Sequence, residues 1–337
     1  MGQTPPMRTL PMLFLLLCGC PPIVDPPAEM TLVGEGLDEA LLSVRATGPD
    51  DVWFVGSDQG AGPALLQWDG SAWTRHDTAA LDGVNLWWVH PTADTVFVAG
   101  SGGTLASLDR SSGAITRIDG PRDTLTFFGI WGASAQDMWA VGAAIGAGEP
   151  PSIWRNAGGA WAEVDTTAEP FHLENVSLFK VHGSAADDVW IVGTRGLILH
   201  WDGATFTDLS PPDLDQNLLT VEWGEAGPIV VGGLNQGLIF EREGEAWVDV
   251  TPDLTPALNG VCQGSSTVAV GRWGGMARRV DGAWALDDES LTLLDYHGCL
   301  TTSDGAIWAV GGHISASPLN EGLIAYQGPA TVPSPTP

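Results

Sequence analysis

Eight residues carry side chains that could recognise a polar ligand, and all lie in short apolar segments that recur along the chain. Because strand side chains alternate, the two residues flanking the central apolar residue of each segment share the opposite face. These flanking positions vary between repeats. The candidates are Arg45, Trp87, Trp131, Lys180, His182, Glu222, Asp295 and His297. Such a set suits hydrogen bonding and stacking with a glycan or peptide. The alternative is that the segments line a water-filled channel inside the fold, where their polar side chains only hydrogen-bond one another.

No catalytic, metal-binding or cofactor-binding set is predicted. Glycoside hydrolysis needs two carboxylates at a defined separation, but with 41 acidic residues any pair can be nominated. A tyrosine nucleophile would have to be Tyr296 or Tyr326, and no arginine triad accompanies either. Asp213, Asp215 and Asn217 are spaced like the start of a calcium loop, but the glycine and closing glutamate are missing. A glycoside hydrolase or lyase remains the alternative function.

Composition excludes several classes of protein. The 337 residues carry 13 Lys+Arg against 41 Asp+Glu, a net charge of −28. A nucleic-acid binder needs a basic face, and an anionic membrane surface would repel this chain. With 44% hydrophobic residues and 16 Trp, most of the chain can bury a core.

The first residues are predicted to be an export signal. Arg8 precedes an apolar run from Leu10 to Leu17, which is too short to span a bilayer. The sequence Leu17-Cys18-Gly19-Cys20 resembles the lipobox of bacterial lipoproteins, and Cys20 fits the lipidated position better than Cys18. The resemblance implies a signal peptide over 1–19 and a lipid on Cys20. An ordinary cleaved signal peptide is the alternative, and Met7 is a possible start.

Proline-rich segments flank the central part of the chain. Residues 20–29 read as a stiff linker, with four prolines between Pro21 and Pro27. Because Asp does not follow Cys20, the lipoprotein resemblance implies the outer membrane or cell surface. Residues 329–337 are predicted to be a disordered tail.

Repeats fill residues 30–328. The segment Asp51-Val52-Trp53-Phe54-Val55-Gly56 returns with variations six times. Its closing glycines are Gly56, Gly100, Gly142, Gly193, Gly232, Gly271 and Gly311. A short apolar strand precedes each copy, another follows it, and an Asp-Gly or similar turn then leads to an aromatic strand. Seven units of about 42 residues with four strands each predict an all-β fold, a seven-bladed β-propeller with four antiparallel strands per blade.

Packing explains the repeated tryptophan three residues before the glycine. A four-stranded sheet buries neither face alone, so we expect Trp53 and its equivalents to pack between blades. The last repeat lacks its fourth strand, while residues 30–33 have no place in the first. We therefore expect the N-terminal strand to close the last blade, which removes exposed edges.

The Asp-Val-Trp-x-Val-Gly and Trp-Asp-Gly units resemble those of secreted bacterial repeat propellers. They are loosely similar to BNR (Asp-box) and photosystem II assembly-factor-type propellers. The resemblance implies the fold and no activity, because the Asp-Gly pairs are adjacent, unlike those of an Asp-box, and the Gly-His pair of WD40 blades is absent.

Cys262 and Cys299 fall at the ends of the first strands of blades 6 and 7, which are neighbours around the axis. In an exported protein we expect them to form a disulfide, with two free buried thiols as the alternative. Together these features predict a monomeric, non-catalytic, lipid-anchored propeller that binds a glycan or protein ligand at one end of its channel.

Overall fold

The computed structural model describes residues 1–2, 29–118, 120, 122–146, 148–167 and 171–335. Nearly all of the predicted signal peptide, Cys20 and the linker as far as residue 28 lie outside this part. The described chain forms seven four-stranded antiparallel sheets. First strands of consecutive sheets contact each other, and that of the seventh contacts that of the first. The predicted seven-bladed propeller is confirmed.

The chain begins with β1 (Thr31–Leu37), which belongs to the last blade. Blade 1 contains β2 (Leu41–Gly48), β3 (Asp51–Asp58), β4 (Pro63–Trp68) and β5 (Trp73–Arg75). Blade 2 contains β6 (Leu86–Pro91), β7 (Thr95–Gly100), β8 (Leu105–Asp109) and β9 (Ile115–Ile118). Blade 3 contains β10 (Thr126–Ser134), β11 (Asp137–Ala143), β12 (Ser152–Ala157) and β13 (Trp161–Glu163).

Blade 4 contains β14 (Leu178–Ala185), β15 (Asp188–Gly193), β16 (Ile198–Trp201) and β17 (Phe206–Asp208). Blade 5 contains β18 (Leu218–Gly224), β19 (Gly227–Gly233), β20 (Gly237–Glu243) and β21 (Ala246–Asp249). Blade 6 contains β22 (Leu258–Gln263), β23 (Thr267–Gly271), β24 (Met276–Val280) and β25 (Ala283–Leu286). Single 3-10 turns occur at Ala79–Leu81 and Arg272–Gly274.

Both ends of the chain build blade 7. It contains β26 (Asp295–Thr301), β27 (Ile307–His313) and β28 (Asn320–Gln327), and β1 pairs antiparallel with β28 as the outermost strand. The prediction that the N-terminal strand closes the last blade is confirmed. The outer edge of this blade is thereby covered by a segment nearly 300 residues away in sequence, which ties the ring together.

The closing glycine of each repeat allows two strands to approach closely. A Cβ added at Gly56 would collide with the backbone carbonyl of Ala40, just before the first strand of the same blade. The same collision, with the equivalent carbonyl, would occur at the other six closing glycines. Glycine is therefore needed here for space rather than for backbone freedom.

In blades 1 and 4 the Asp-x-Trp pair joins hydrogen bonding to packing between blades, whereas the buried indole Nε1 of Trp139 in blade 3 has no hydrogen-bond partner. The indole Nε1 of Trp53 donates to Asp51 Oδ1 at 2.8 Å, and that of Trp190 donates to Asp188 Oδ1 at 2.9 Å. With its polar atom satisfied, the indole of Trp53 packs against apolar residues of blade 2. The core is accordingly divided into clusters that lie between blades, as the sequence predicts.

Residues 329–335 pack against the ring rather than forming the predicted disordered tail. Val332 is buried in the cluster between blades 7 and 1, and Trp73 Nε1 donates to the Pro333 carbonyl at 2.8 Å. Prolines lack a donor but provide rigid apolar surface and free carbonyls, and this segment uses both. Residues 336–337 lie outside the described residues.

The structure contains the predicted disulfide between Cys262 and Cys299, with the two Cα atoms 5.7 Å apart. It joins β22 to β26 and so connects the first strands of blades 6 and 7. Both residues are buried, in a cluster with Val268 and Tyr296.

Replacing both cysteines by serine should lower the free energy of unfolding by about 4 kcal/mol, because the bridge spans 37 residues and constrains the unfolded chain. Urea unfolding of the Cys262→Ser/Cys299→Ser variant measures this loss, and reduced wild type is the matched control. Intact mass of residues 21–337, which contain only these two cysteines, should show neither thiol modified after alkylation without reductant. Two modified thiols would contradict the bridge.

Candidate functional site

A β-bulge at the same position of every first strand determines which side chains reach the axis. Where the first and second strands of a blade pair, one residue of the first strand has no partner on the second. This residue comes directly after the one that pairs with the closing glycine. These bulge residues are Leu42, Trp87, Phe128, Phe179, Leu219, Asn259 and His297. A bulge interrupts the alternation of side chains along a strand. Residues before and after it therefore no longer share a face at every second position.

Four aromatic bulge residues meet at one end of the axis: Trp87, Phe128, Phe179 and His297. Together with Leu219 and Asn259, we call them the axial mouth. The Trp87 ring centroid lies 5.1 Å from that of Phe128 and 5.5 Å from that of His297. Trp87 and His297 belong to blades 2 and 7, which are not neighbours, so they meet across the channel. The mouth is half-buried at Trp87, Phe179, Leu219, Asn259 and His297. Side chains there combine apolar rings with an imidazole and an amide.

Deeper in the channel an ion pair spans the axis. Arg45 Nη2 of blade 1 donates to Glu222 Oε2 of blade 5 at 2.8 Å, and the two side chains are 12% and 10% exposed. Arg45 Nη1 also donates to the Cys299 carbonyl at 3.0 Å. The imidazole Nε2 of His182 lies 3.5 Å from Glu222 Oε1, and Trp131 packs against His182. Each of these four side chains lies three residues after a bulge.

Lys180 is enclosed between the mouth and the ion pair. Its Nζ donates to the Phe128 carbonyl at 2.8 Å and lies 4.2 Å from the centre of a Trp88 ring. The guanidinium of Arg45 lies 4.5 Å from the centre of a ring of the same residue. Trp88 thus contacts both the Arg45 guanidinium and the Lys180 amine, and its rings stabilise positive charge in a desolvated place, while Arg45 disfavours a second charge on Lys180.

Burial shifts the protonation of these groups. It raises the pKa of Glu222 to about 7, which Arg45 opposes, and it lowers the pKa of Lys180 to about 7. It lowers the pKa of His182 and His297 to about 3 each. His90, three residues after its own bulge, has its pKa lowered to about 4 by burial and by the nearby His182 and Arg45.

Seven of the eight candidate residues come together along this axis, and Asp295 does not join them. Asp295 lies at the start of β26, where its carboxylate accepts hydrogen bonds from the Trp273 backbone N–H at 3.0 Å and from Ser315 Oγ at 2.6 Å. Its position, two residues before the bulge at His297, is outside the channel lining. The strict alternation assumed from sequence placed it on the wrong side of that bulge.

The same assumption missed Trp88 and His90. Trp88 is buried in the core cluster between blades 2 and 3 and also contacts Arg45 and Lys180, while His90 occupies the position equivalent to Arg45. The residue that pairs with the closing glycine directly precedes the bulge. Counting positions along the first strand from that residue, rather than assuming strict alternation, identifies both Trp88 and His90.

Both tyrosines belong to the packing. Tyr296 is 1% exposed, and burial raises its pKa to about 12. Tyr326 packs on Trp308, and its hydroxyl accepts from the Ala330 N–H. Within the described ranges, no group of three potential ligand residues could hold a metal ion. None of the helices in the described part is long and apolar enough to cross a membrane.

Comparisons with solved structures support the fold. YCF48 from Cyanidioschyzon merolae is 15% identical, with a TM-score of 0.64 over 89% of this chain and 99% of that one. A structure of YCF48 bound to D1 peptide is 13% identical, with a TM-score of 0.65 over 92% and 99%. The extracellular domain of the putative one-component system BT4673 from B. thetaiotaomicron is 9% identical, with a TM-score of 0.66 over 89% of this chain and 40% of that one.

The likeness to a photosystem II assembly factor agrees with the resemblance drawn from the repeats, at the level of fold. No protein-family model matches the chain, and no curated protein matches it.

Stability should fall as the pH is lowered from about 6.5 to 4. The pKa values of His90, His182 and His297 are lower in the folded chain than in the unfolded chain, so the unfolded state binds protons first. Each pKa unit of difference lowers the free energy of unfolding at low pH by about 1.4 kcal/mol. Glu222, with its raised pKa, opposes this between about pH 4.5 and 7. Because three histidines outweigh one carboxyl, urea unfolding at several pH values should show a net loss of several kcal/mol.

The His297→Asn variant should show a shallower pH dependence. The matched control is His313→Asn, since the His313 ring lies near the surface beside the Pro318 carbonyl. Equal slopes for wild type and His297→Asn would contradict the assignment.

Proposed function

We propose that this chain is a non-catalytic binding propeller, exported and lipid-anchored at the outer membrane or cell surface through Cys20, that takes a glycan or protein ligand at the axial mouth. The observation that carries the proposal is the division of the axis into two layers. Charged groups deeper in the channel are engaged with one another, whereas Trp87, Phe179, Asn259 and His297 at the mouth keep part of their surface accessible to solvent.

The mouth has the character of a recognition surface. Trp87 and Phe179 offer ring surface for stacking, while His297 and Asn259 carry polar groups beside them. Asn259 Nδ2 donates to the Tyr296 carbonyl at 2.7 Å, which fixes the amide and leaves its oxygen as an acceptor. A rigid ring holds these side chains, so little ordering is needed on binding.

The alternative of a carbohydrate-active enzyme has less support. It needs two carboxylates acting together on one bond. Glu222 is engaged by Arg45, and Asp295 is held by Trp273 and Ser315 at the start of β26. Propellers with similar structures include YCF48 bound to D1 peptide, which supports a peptide or protein as one of the ligand classes.

Export is supported by the disulfide between Cys262 and Cys299, because such bridges persist in oxidising compartments. The extracellular domain among the similar structures is consistent with this. The lipobox-like Leu17-Cys18-Gly19-Cys20 and the proline-rich linker provide the anchor and spacer.

Ligand capture by residues 21–337 should depend on Trp87. A glycan array and a pulldown from surface extracts identify the ligand, and Trp87→Ala should weaken its binding at least tenfold, as expected for a central aromatic anchor. Trp161→Ala is the matched control, since this half-buried tryptophan lies on the outermost strand of blade 3. Equal binding by Trp87→Ala and wild type would contradict the site, and cleavage of a bound glycan would favour the enzyme.

Lipidation should be specific to Cys20. In a bacterial host fed an alkyne fatty acid, wild type should be labelled and fractionate with the outer membrane. Cys20→Ala should lose the label and become soluble, whereas the matched variant Cys18→Ala should keep both properties. Loss of label in Cys18→Ala alone, or no label in wild type, would contradict the anchor.

A further inference from the structure

Four exposed apolar side chains form a patch above blades 5 to 7, on the loops at the same end of the ring as the axial mouth. Leu234, Leu254, Trp273 and Leu293 are 47%, 90%, 58% and 84% exposed. Leu254 and Trp273 line one surface cavity of about 820 Å³, and Trp273 and Leu293 line another of about 280 Å³. Trp273 therefore stands as a wall between two cavities. Exposed apolar side chains that share cavities, as Leu254, Trp273 and Leu293 do, mark interaction sites, and Leu234 is tied to this region through its carbonyl, which accepts from Arg272.

The backbone holds two of these side chains in an unfavourable conformation. Trp273 has φ of 56° and Leu254 has φ of 64°, both in the left-handed region that bulky residues avoid. The same turn position, two residues after the closing glycine, is also left-handed at Gly102 in blade 2 and at Arg195 in blade 4, so the conformation belongs to the turn. Glycine would fit there without strain and without exposing an indole, yet blade 6 has a tryptophan. Strain that displays a side chain to solvent is a feature of binding sites.

Neighbouring residues fix the conformation of Trp273 from both sides. Its N–H donates to Asp295 Oδ1 at 3.0 Å, and its carbonyl accepts from Ser290 Oγ at 3.0 Å. Asp295 is itself buried and bonded to Ser315. This is the role the structure assigns to Asp295: it positions an exposed tryptophan outside the channel.

Acidic groups surround the patch. Asp253 lines the larger cavity, and Asp288 and Glu289 are exposed directly before Ser290. The nearby cation Arg272 is tethered to the Leu234 carbonyl at 3.2 Å, and Asp287 is paired with Arg278 at 2.9 Å. The chain as a whole carries a net charge of −28. Arg272 lines the smaller cavity, but the exposed acidic residues outnumber it, so the surface favours a partner that presents apolar side chains flanked by positive charge.

We propose that this patch, defined by Leu234, Leu254, Trp273 and Leu293, is a second docking surface, which binds a basic polypeptide segment of a partner protein. An aliphatic or aromatic side chain of that segment enters the cavity between Trp273 and Leu254. Flanking lysines or arginines of the segment lie near Asp253, Asp288 and Glu289. The surface shares no residue with the axial mouth.

The probe is a dye-labelled dodecapeptide of leucines flanked by lysines, followed by fluorescence polarisation with residues 21–337. Two comparison peptides replace the leucines by alanine or the lysines by glutamate. Only the first should bind measurably. Trp273→Ala and Leu254→Ala should each weaken it at least tenfold. Ile145→Ala should not, because Ile145 is an exposed apolar residue (67% exposed, between Trp273 and Leu254) away from the patch.

Two further variants make the result decisive. Trp273→Gly should lose binding while its thermal unfolding midpoint stays equal to or above that of wild type, because glycine accepts the left-handed conformation. Trp87→Ala should bind the peptide as wild type does, which separates this surface from the axial mouth.

Equal binding of the alanine peptide, or no effect of Trp273→Ala, would overturn the proposal. So would binding to phosphatidylcholine vesicles or to a glycan array that depends on Trp273, since the patch would then belong to a lipid or a glycan.

Discussion

The close approach of two strands at a glycine, repeated in every blade, is the constraint on which the rest of this structure depends. The closing glycine of the second strand lies against a backbone carbonyl at the start of the first strand, where any Cβ would collide. One residue beyond the partner of that glycine, the first strand bulges. Because the bulges occur at the same level, six of the seven bulge side chains converge at one end of the axis and form the axial mouth, while Leu42 is fully buried. Residues after the bulge then line the interior.

This geometry explains why the charged groups of the interior are engaged with one another. Seven inner strands enclose little space, so Arg45 and Glu222 lose water and depend on each other, on His182 and on Trp88. A buried ion pair contributes little net stability, but removing one partner is costly because the other charge is left buried without a partner. This is why we propose ligand recognition at the mouth, where five of the six side chains are only partly buried.

The architecture could be predicted from sequence because it is encoded in the repeats. The glycine spacing and the Asp-x-Trp pairs give the number of blades, and the missing last strand indicates how the ring closes. The Cys262–Cys299 bridge followed from the same alignment. The site was predicted in part. Lys180, Glu222 and five others reach the axis, but Asp295 does not, and Trp88 and His90 were missed because a bulge leaves no mark in an alternating pattern. Nor does composition reveal that Trp273 adopts a left-handed conformation, which the turn of blade 6 shares with Gly102 in blade 2 and Arg195 in blade 4.

A double-mutant cycle on Arg45 and Glu222 tests most directly the claim that the interior charges serve the fold and the mouth serves binding. Arg45→Met and Glu222→Gln should each lower the free energy of unfolding by about 3 to 5 kcal/mol, and the double variant by much less than the sum. Ligand capture by the folded double variant should equal that of wild type. A stable double variant that no longer binds ligand would contradict the account, because the charges would then belong to the ligand site.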